Sequence, residues 1–150
     1  MPAVTVVPFK WYHINAMDIR KAEQRNIEQI PDYVERLKHQ QSLGLSCTAI
    51  IDGEGAACSW GYIPQWLGVY ECWFLSSYLI ERYPILTIRH SRYHIESDAI
   101  TLKAHRLQMS VDASDRIAMR YANALGFSSE GVMKAYGPDK ADYERLARIF

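Results

Sequence analysis

The hydrophobic positions of this chain change their spacing several times, which predicts an alternation of strands and helices. Short runs rich in β-branched and aromatic residues and bounded by turn residues indicate strands. Those runs cover 4–9, 45–51, 56–63, 68–75, 101–111, 127–136 and 141–150. Longer segments with helical spacing and suitable starting residues predict helices. Those segments cover 15–27, 32–41 and 84–97, and a fourth ends at Leu125.

The segment 112–136 has the clearest local pattern. Asp112 and Ser114 carry side-chain acceptors suited to capping the start of a helix. Apolar residues then recur at helical spacing as far as Leu125. Gly126 can adopt the left-handed conformation that ends a helix, and Phe127 begins a strand. The segment therefore predicts a short helix, a glycine stop and a strand in quick succession.

Taken together, the predicted elements follow the order β-α-α-β-β-β-α-β-α-β-β. The chain has 150 residues and no repeat, linker or low-complexity segment. A chain of this length can bury a core of its own. We therefore expect one mixed α/β domain over residues 1–150.

Composition and charge narrow the function classes. The 17 basic and 17 acidic residues cancel, so the bulk charge does not indicate a nucleic-acid or anionic-membrane partner. Cys47, Cys58 and Cys72 are odd in number and widely spaced, as expected for reduced thiols of an intracellular protein. No signal peptide and no segment of membrane-spanning length is evident. We expect a soluble protein that stays in the cytoplasm or is packed into an assembly formed there.

The residues "ALGF", followed by "EG" and an aromatic strand, resemble the C-terminal half of the GCN5-related N-acetyltransferase (GNAT) family. The order of elements is similar to that family over essentially the whole chain. The resemblance implies a central, mostly antiparallel sheet flanked by helices. It also implies that the sheet splays where strands 68–75 and 101–111 run parallel, and that the cofactor is acetyl-CoA.

The family binds the pyrophosphate of acetyl-CoA with backbone N–H groups of a glycine-rich loop after its fourth strand. The corresponding segment here, 76–84, contains no glycine and ends in Pro84, which has no N–H. Within it, Ser76, Ser77 and Arg82 are the residues that could favour an anion. Asp115 stands where the family often has asparagine, so it could form a helix cap or a backbone contact, and it is a further cofactor-contact candidate. We expect weak acetyl-CoA binding or none.

The same resemblance suggests a base and an acid for acetyl transfer. Glu71 lies in the fourth strand among apolar neighbours and is the candidate base. It could equally face solvent or be satisfied by an arginine. Ala122 takes the position where the family has the tyrosine that acts as general acid. Tyr121 lies one residue earlier, so its side chain is rotated by ~100° around the helix axis from that position. Tyr121 is thus a candidate acid, with packing in the core as the alternative.

Two further groups of residues suggest contacts with partners. His90 and His94 have a spacing compatible with a metal, but without a third ligand they indicate an exposed basic helix face instead, and we expect no metal site. The aromatic residues around Pro64 predict an exposed contact patch. They are Trp60, Tyr62, Trp66 and Tyr70, and Arg92 is a further candidate contact residue.

Two functions from different classes remain open. One is an acetyl-CoA-dependent N-acetyltransferase that acts on an amine of a small molecule or protein. The other is a non-catalytic assembly component that contacts other protein subunits. The sequence "ECWFLSS", the glycine-free loop and the basic helix are similar to GNAT-like proteins of tailed bacteriophages, and to podovirus inner-core proteins in particular. That resemblance implies a virion protein and favours the second function.

Overall fold

The structure, a computed structural model, describes residues 2–150. Its seven strands follow the order β1-β2-β3-β4-β5-β7-β6 in one sheet. The strands are β1 (Val4–Pro8), β2 (Ser46–Ile51), β3 (Gly55–Trp66), β4 (Val69–Ser76), β5 (Arg106–Asp112), β6 (Ser128–Met133) and β7 (Tyr143–Ile149). The α-helices are α1 (Lys21–Ile27), α2 (Tyr33–Ser42), α3 (Leu79–Arg82), α4 (Pro84–Thr101) and α5 (Arg116–Ala124).

The sheet is mostly antiparallel, as predicted. The pairs β1–β2, β2–β3, β5–β7 and β6–β7 are antiparallel. Strands β4 and β5 are parallel over the three pairs that begin with Val69 and Arg106. The predicted mixed α/β class and the predicted parallel pair are therefore confirmed.

The chain forms two compact units. The first contains residues up to 63 together with 73–90, and the second contains 64–72 together with 91–150. In the first unit, Met17, Ala56 and Leu75 form a buried cluster on which Ile14 and Ile27 pack. That cluster joins the N-terminal segments to β3 and β4. The expectation of a single domain stays a prediction.

Gly61 of β3 illustrates how closely the first unit is packed. A Cβ built on Gly61 would lie 2.6 Å from atoms of the Trp73 indole, far inside normal contact distance. Trp73 in turn packs edge-on against Phe9, with ring centroids 4.8 Å apart. The absence of a side chain at this position is what allows the indole to lie over the strand.

In the second unit, the helix C-terminus of α5 is stabilised by arginines from other elements. Arg148 donates to the Leu125 carbonyl oxygen at 3.0 Å, and Arg92 donates to that of Ala124 at 3.2 Å. Both guanidinium groups also pair with Glu96, at 2.7 and 3.2 Å respectively. Cations at a helix C-terminus satisfy free carbonyl groups and oppose the helix dipole. Arg92 is therefore already engaged within the chain.

Two predicted elements and one predicted helix cap need correction, and each correction has an identifiable cause. The helix expected over 15–27 is a 3₁₀ helix, Trp11–Ala16, followed by α1, because Ile19 forms a β-bridge with Ser77. The strand expected from residue 101 begins at Arg106, because α4 continues to Thr101 and helical hydrogen bonds extend to Leu102 and Ala104.

The third correction concerns the cap of α5. Asp115, not Asp112, caps this helix by accepting the Ala118 N–H at 3.1 Å. Asp112 instead accepts the N–H and the hydroxyl of Ser114, at 2.9 and 2.7 Å. Gly126 adopts φ +96°, which confirms the glycine stop after the helix.

Candidate functional site

The segment after β4, where the cofactor loop was expected, has its backbone donors occupied. The Ser76 N–H points at the Glu23 carboxylate, with 3.2 Å to each oxygen. The Ser77 N–H donates to the Ala57 carbonyl oxygen at 2.9 Å, and the Tyr78 N–H donates to that of Asp18 at 3.1 Å. Three consecutive N–H groups at the end of β4 are thus bound to α1, to β3 and to the segment before α1.

The next five N–H groups of this segment are donated within the short helix α3 and its flanks. The Leu79 N–H reaches the Ser77 hydroxyl at 3.2 Å. The remaining four N–H groups donate to backbone carbonyl oxygens at 2.9–3.3 Å. Ile80 donates to Ser77, both Glu81 and Arg82 donate to Tyr78, and Tyr83 donates to Leu79. All eight N–H groups of residues 76–83 therefore have acceptors inside the protein, and Pro84 has no N–H to offer.

The two serines proposed as anion contacts are buried and bonded internally. The Ser76 hydroxyl donates to the Glu23 carboxylate at 2.6 Å. The Ser77 hydroxyl lies 3.0 Å from the Ala56 carbonyl oxygen and 3.1 Å from that of Ala57. Both serines are at most 1% exposed. These side chains hold β4 against its neighbours.

Arg82, the third proposed anion contact, reaches the surface but is paired. Its guanidinium group lies 3.1 Å from the Glu54 carboxylate, and its side chain is 64% exposed. The Tyr83 hydroxyl donates to the other oxygen of Glu54 at 2.8 Å, which raises the pKa of Tyr83. An exposed ion pair of this kind contributes little stability. Among the three proposed contacts in the first unit, Arg82 alone has a charged group in solvent.

Glu71, the proposed base, is fixed by one donor from β5 and one from β7. Arg145 of β7 contacts both carboxylate oxygens, at 2.8 and 2.6 Å. The Gln108 side-chain amide donates to the same carboxylate at 3.0 Å. The structure thus confirms the alternative prediction, in which an arginine pairs with Glu71. Arg145 lies 74 positions after Glu71, and the sequence did not identify it as the partner. The one available signal was that Arg145 is a charged residue directly before the apolar pair Leu146–Ala147 in a predicted strand.

Cys72, next to Glu71, lies in surroundings that disfavour a thiolate. Burial raises the pKa of this thiol well above its usual value, and the negative charges of Glu71 and Asp98 raise it further. A thiol acts as a nucleophile only when it is deprotonated. These surroundings therefore disfavour a nucleophilic role for Cys72.

Tyr121 and Asp115 have structural partners in the second unit. Tyr121 is buried, and its hydroxyl lies 3.1 Å from the Ser91 hydroxyl of α4. Asp115 is the cap of α5. Glu71 is bonded to β5 and β7 and Tyr121 to α4, so the proposed base and acid have separate partners.

The predicted aromatic patch is exposed only in part. Trp60 and Tyr62 are buried, at 1% and 3% exposure, so their assignment to a contact surface was wrong. Trp66 is 76% exposed and the adjacent Leu67 is fully exposed. The hydroxyl of Tyr70 donates to the Leu102 carbonyl oxygen at 3.3 Å. Of the four predicted residues only Trp66 is exposed, and with the neighbouring Leu67 it forms what we call the hairpin tip, at the turn from β3 to β4.

More exposed apolar residues lie at the same end of the second unit as the hairpin tip. The Gly68 carbonyl oxygen accepts the N–H groups of His105 and Arg106, at 2.9 and 3.2 Å. The His105 carbonyl oxygen in turn accepts the Phe150 N–H at 3.0 Å. Ile149 and Phe150 are 66% and 45% exposed. The hairpin tip and the end of β7 thus place exposed apolar residues at the same end of the second unit.

In the part of the chain that the structure describes, there is neither a cluster of metal-ligating residues nor a helix suited to crossing a membrane. No group of three or more His, Cys, Asp or Glu residues among positions 2–150 could hold a metal ion. Within the same residues, no helix combines the length and the apolar character needed to cross a membrane.

Comparisons with known proteins give a fold but no match of sequence. No protein-family model matches this chain, and neither does any curated protein. A GNAT-family acetyltransferase from Bacillus anthracis is similar in structure, with a TM-score of 0.72, 12% identity and coverage of 99% of this chain and 96% of that one. A putative phosphinothricin N-acetyltransferase has a TM-score of 0.75 at 11% identity and covers 99% of both chains.

A third similar structure is described with its cofactor. It is a putative acetyltransferase from Salmonella typhimurium with acetyl-CoA, with a TM-score of 0.70, 12% identity and coverage of 98% of this chain and 94% of that one. At these identities the likeness concerns the backbone and its topology. This chain therefore has the fold of the GCN5-related N-acetyltransferases.

Proposed function

We propose that this chain is a non-catalytic protein with the GNAT fold, which acts as a structural component of a protein assembly. The observation that carries this proposal is the state of residues 76–83, in which every backbone N–H is donated to an acceptor within the protein. The resemblance of the sequence "ECWFLSS" and the glycine-free loop to GNAT-like proteins of tailed bacteriophages suggests which assembly. It would be a virion, built in the cytoplasm of the host cell.

Acetyl-CoA does not fit the residues of this segment. A pyrophosphate is bound by several backbone N–H groups that converge on it. Here such binding would first have to break the hydrogen bonds to Glu23, Ala57 and Asp18. Each net hydrogen bond is worth about 0.5–1.5 kcal/mol, and an unsatisfied buried acceptor costs more. The Glu23 carboxylate would also lie close to the phosphate charge, which is unfavourable.

The two residues proposed for catalysis also support a structural role. A general base needs a lone pair directed at the proton that it removes. The Glu71 carboxylate accepts from Arg145 and Gln108 instead. A general acid must reach the leaving group, and the Tyr121 hydroxyl is buried beside Ser91. These bonds stabilise the second unit.

The hairpin tip and the end of β7 provide the contact surface in this proposal. Large exposed apolar and aromatic side chains that lie near one another are typical of protein interfaces, and tryptophan is enriched among the residues that dominate binding. Trp66 and Leu67 make the tip, and Ile149 and Phe150 are exposed at the end of β7, at the same end of the second unit. Arg148 lies over the Phe150 ring, 4.8 Å from its centre, which adds a charged group beside the apolar surface.

We expect the substitution Trp66→Ala to weaken association by about 2 kcal/mol or more, the range seen for interface tryptophans. The indole is mostly in solvent in the free chain, so its truncation removes contact area without opening a cavity. Sedimentation velocity measures self-association, and incorporation into assembled particles measures binding to other subunits.

Circular dichroism provides the folding control for this experiment. Tyr93→Ala is a matched variant, because Tyr93 is a similarly exposed aromatic residue on α4. Unchanged assembly of the Trp66→Ala protein in both measurements would contradict the proposed surface. An acetyl-transfer activity that Glu71→Gln abolishes would favour an N-acetyltransferase instead.

A further inference from the structure

The outer face of α5 forms an open groove of about 510 Å³ in the second unit. Four of its lining residues lie at helical spacing on α5, and two come from the segment before the helix and from β7. They are Arg116, Met119, Arg120 and Asn123, with Ala113 and Glu144. The groove is on the side of α5 away from Tyr121, Ala122 and Leu125, which are the buried residues of the helix end.

The two arginines of this groove differ from the other arginines of the same unit. Arg92 and Arg148 pair with Glu96, Arg106 pairs with Glu130, and Arg145 pairs with Glu71. Among residues 2–150, the side chains of Arg116 and Arg120 have no hydrogen-bond or ion-pair partner. Four of the six arginines are thus used inside the unit, and the two that are not line one groove.

The position of these two charges is unfavourable for the isolated chain. Arg116 and Arg120 are four residues apart on one helix, where like charges repel each other. Both side chains are exposed, so the arrangement contributes no packing in return. A negatively charged ligand in the groove would remove the repulsion and gain two charge-assisted hydrogen bonds.

We propose that this groove binds an acidic segment of a partner protein. Carboxylates of the segment would pair with Arg116 and Arg120, and an apolar side chain between them would lie on Met119 and Ala113. The Asn123 amide can both donate and accept, which suits a peptide backbone. The inference does not depend on the proposed function, since an enzyme and a structural component could both use such a groove.

The Glu144 carboxylate in the groove bears on the chemistry of the partner. It accepts a hydrogen bond from the Ser129 hydroxyl at 2.8 Å. Its charge leaves the groove only weakly positive, and the chain as a whole has a net charge of +0. Nucleic-acid binding depends on neutralising many phosphates. A peptide with a few spaced carboxylates therefore fits the groove better than a nucleic acid.

The test uses a fluorescein-labelled peptide of the repeating sequence Glu-Glu-Leu, with its Gln-Gln-Leu counterpart as the uncharged control. We expect fluorescence anisotropy to show that the full chain binds the Glu peptide at low salt and binds the Gln peptide more weakly. The double substitution Arg116→Gln/Arg120→Gln should weaken binding of the Glu peptide by about tenfold or more. Glu144→Gln should strengthen it, because a like charge is removed from the groove.

The matched control is Arg25→Gln/Arg89→Gln, which removes two exposed arginines of the first unit and changes the net charge equally. We expect this variant to bind the Glu peptide nearly as well as the unmodified chain. The proposal is overturned if the two double variants lose affinity equally, if the Glu peptide does not bind, or if oligothymidylate binds more tightly. It also fails if the groove variant changes the sedimentation of the chain alone, because a second copy would then occupy the groove.

Discussion

Replacement of Trp60 by alanine should destabilise the fold by about 3–5 kcal/mol, the usual cost of truncating a buried tryptophan. The same replacement at Trp66 should change the free energy of unfolding by only about 0.5 kcal/mol, as for most surface positions. Both residues belong to β3, but Trp60 is 1% exposed and Trp66 is 76% exposed. Urea denaturation followed by circular dichroism measures both values.

The two tryptophan variants control for each other, because the change in composition is identical. Equal destabilisation by the two would contradict the burial on which the contact surface rests. A large loss of stability for Trp66→Ala alone would place its indole in a core and would remove the hairpin tip from the proposed function. A small loss for Trp60→Ala would mean that the first unit is packed differently.

The second large effect concerns the ion pair between Glu71 and Arg145. We expect Arg145→Met to cost about 2–3 kcal/mol, since loss of one partner of a buried pair leaves the other charge uncompensated. This expected loss of stability lies at or below the low end of the range for fully buried ion pairs, because the Arg145 and Glu71 side chains are 26% and 23% exposed. Glu71→Gln should cost less, because the neutral amide can still accept from Gln108.

A double-mutant cycle separates this pair from other effects. The variant with both substitutions should be more stable than the sum of the single losses implies, with a coupling of about 1–2 kcal/mol, as found for residues in contact. Thermal or urea denaturation of the four proteins gives the coupling. Strict additivity would show that the two side chains do not interact, and Glu71 would then be available as a base.

The sequence predicted much of the fold because the decisive signals were local. The glycine after α5 has the positive φ that a helix stop requires, and turn residues separate the strands. The predictions from sequence were wrong where contacts between residues far apart in the chain determine the local structure. A bridge between Ile19 and Ser77 takes the backbone before α1 out of a helix, and nothing near Ile19 in the sequence indicates that partner.

The candidate site shows the same limit. The lack of glycine after β4 was visible in the sequence, but the acceptors that occupy the N–H groups come from Asp18, Glu23 and Ala57. Trp60 and Trp66 are six positions apart in β3, so strand alternation places both side chains on the same face of the sheet. Alternation does not indicate at which residue β3 leaves the protein interior. The fold brings these groups together, and that information is not in local spacing.

The most direct test of the account is a calorimetric titration of the chain with acetyl-CoA, repeated by NMR with the backbone amides of residues 76–83 assigned. Because those amides already have acceptors inside the protein, we expect no measurable heat, a dissociation constant weaker than about 1 mM, and no shift of these amide signals. Micromolar binding, worth about 8 kcal/mol, together with shifts at these amides would contradict the central claim that this GNAT-fold protein has no acetyl-CoA cradle.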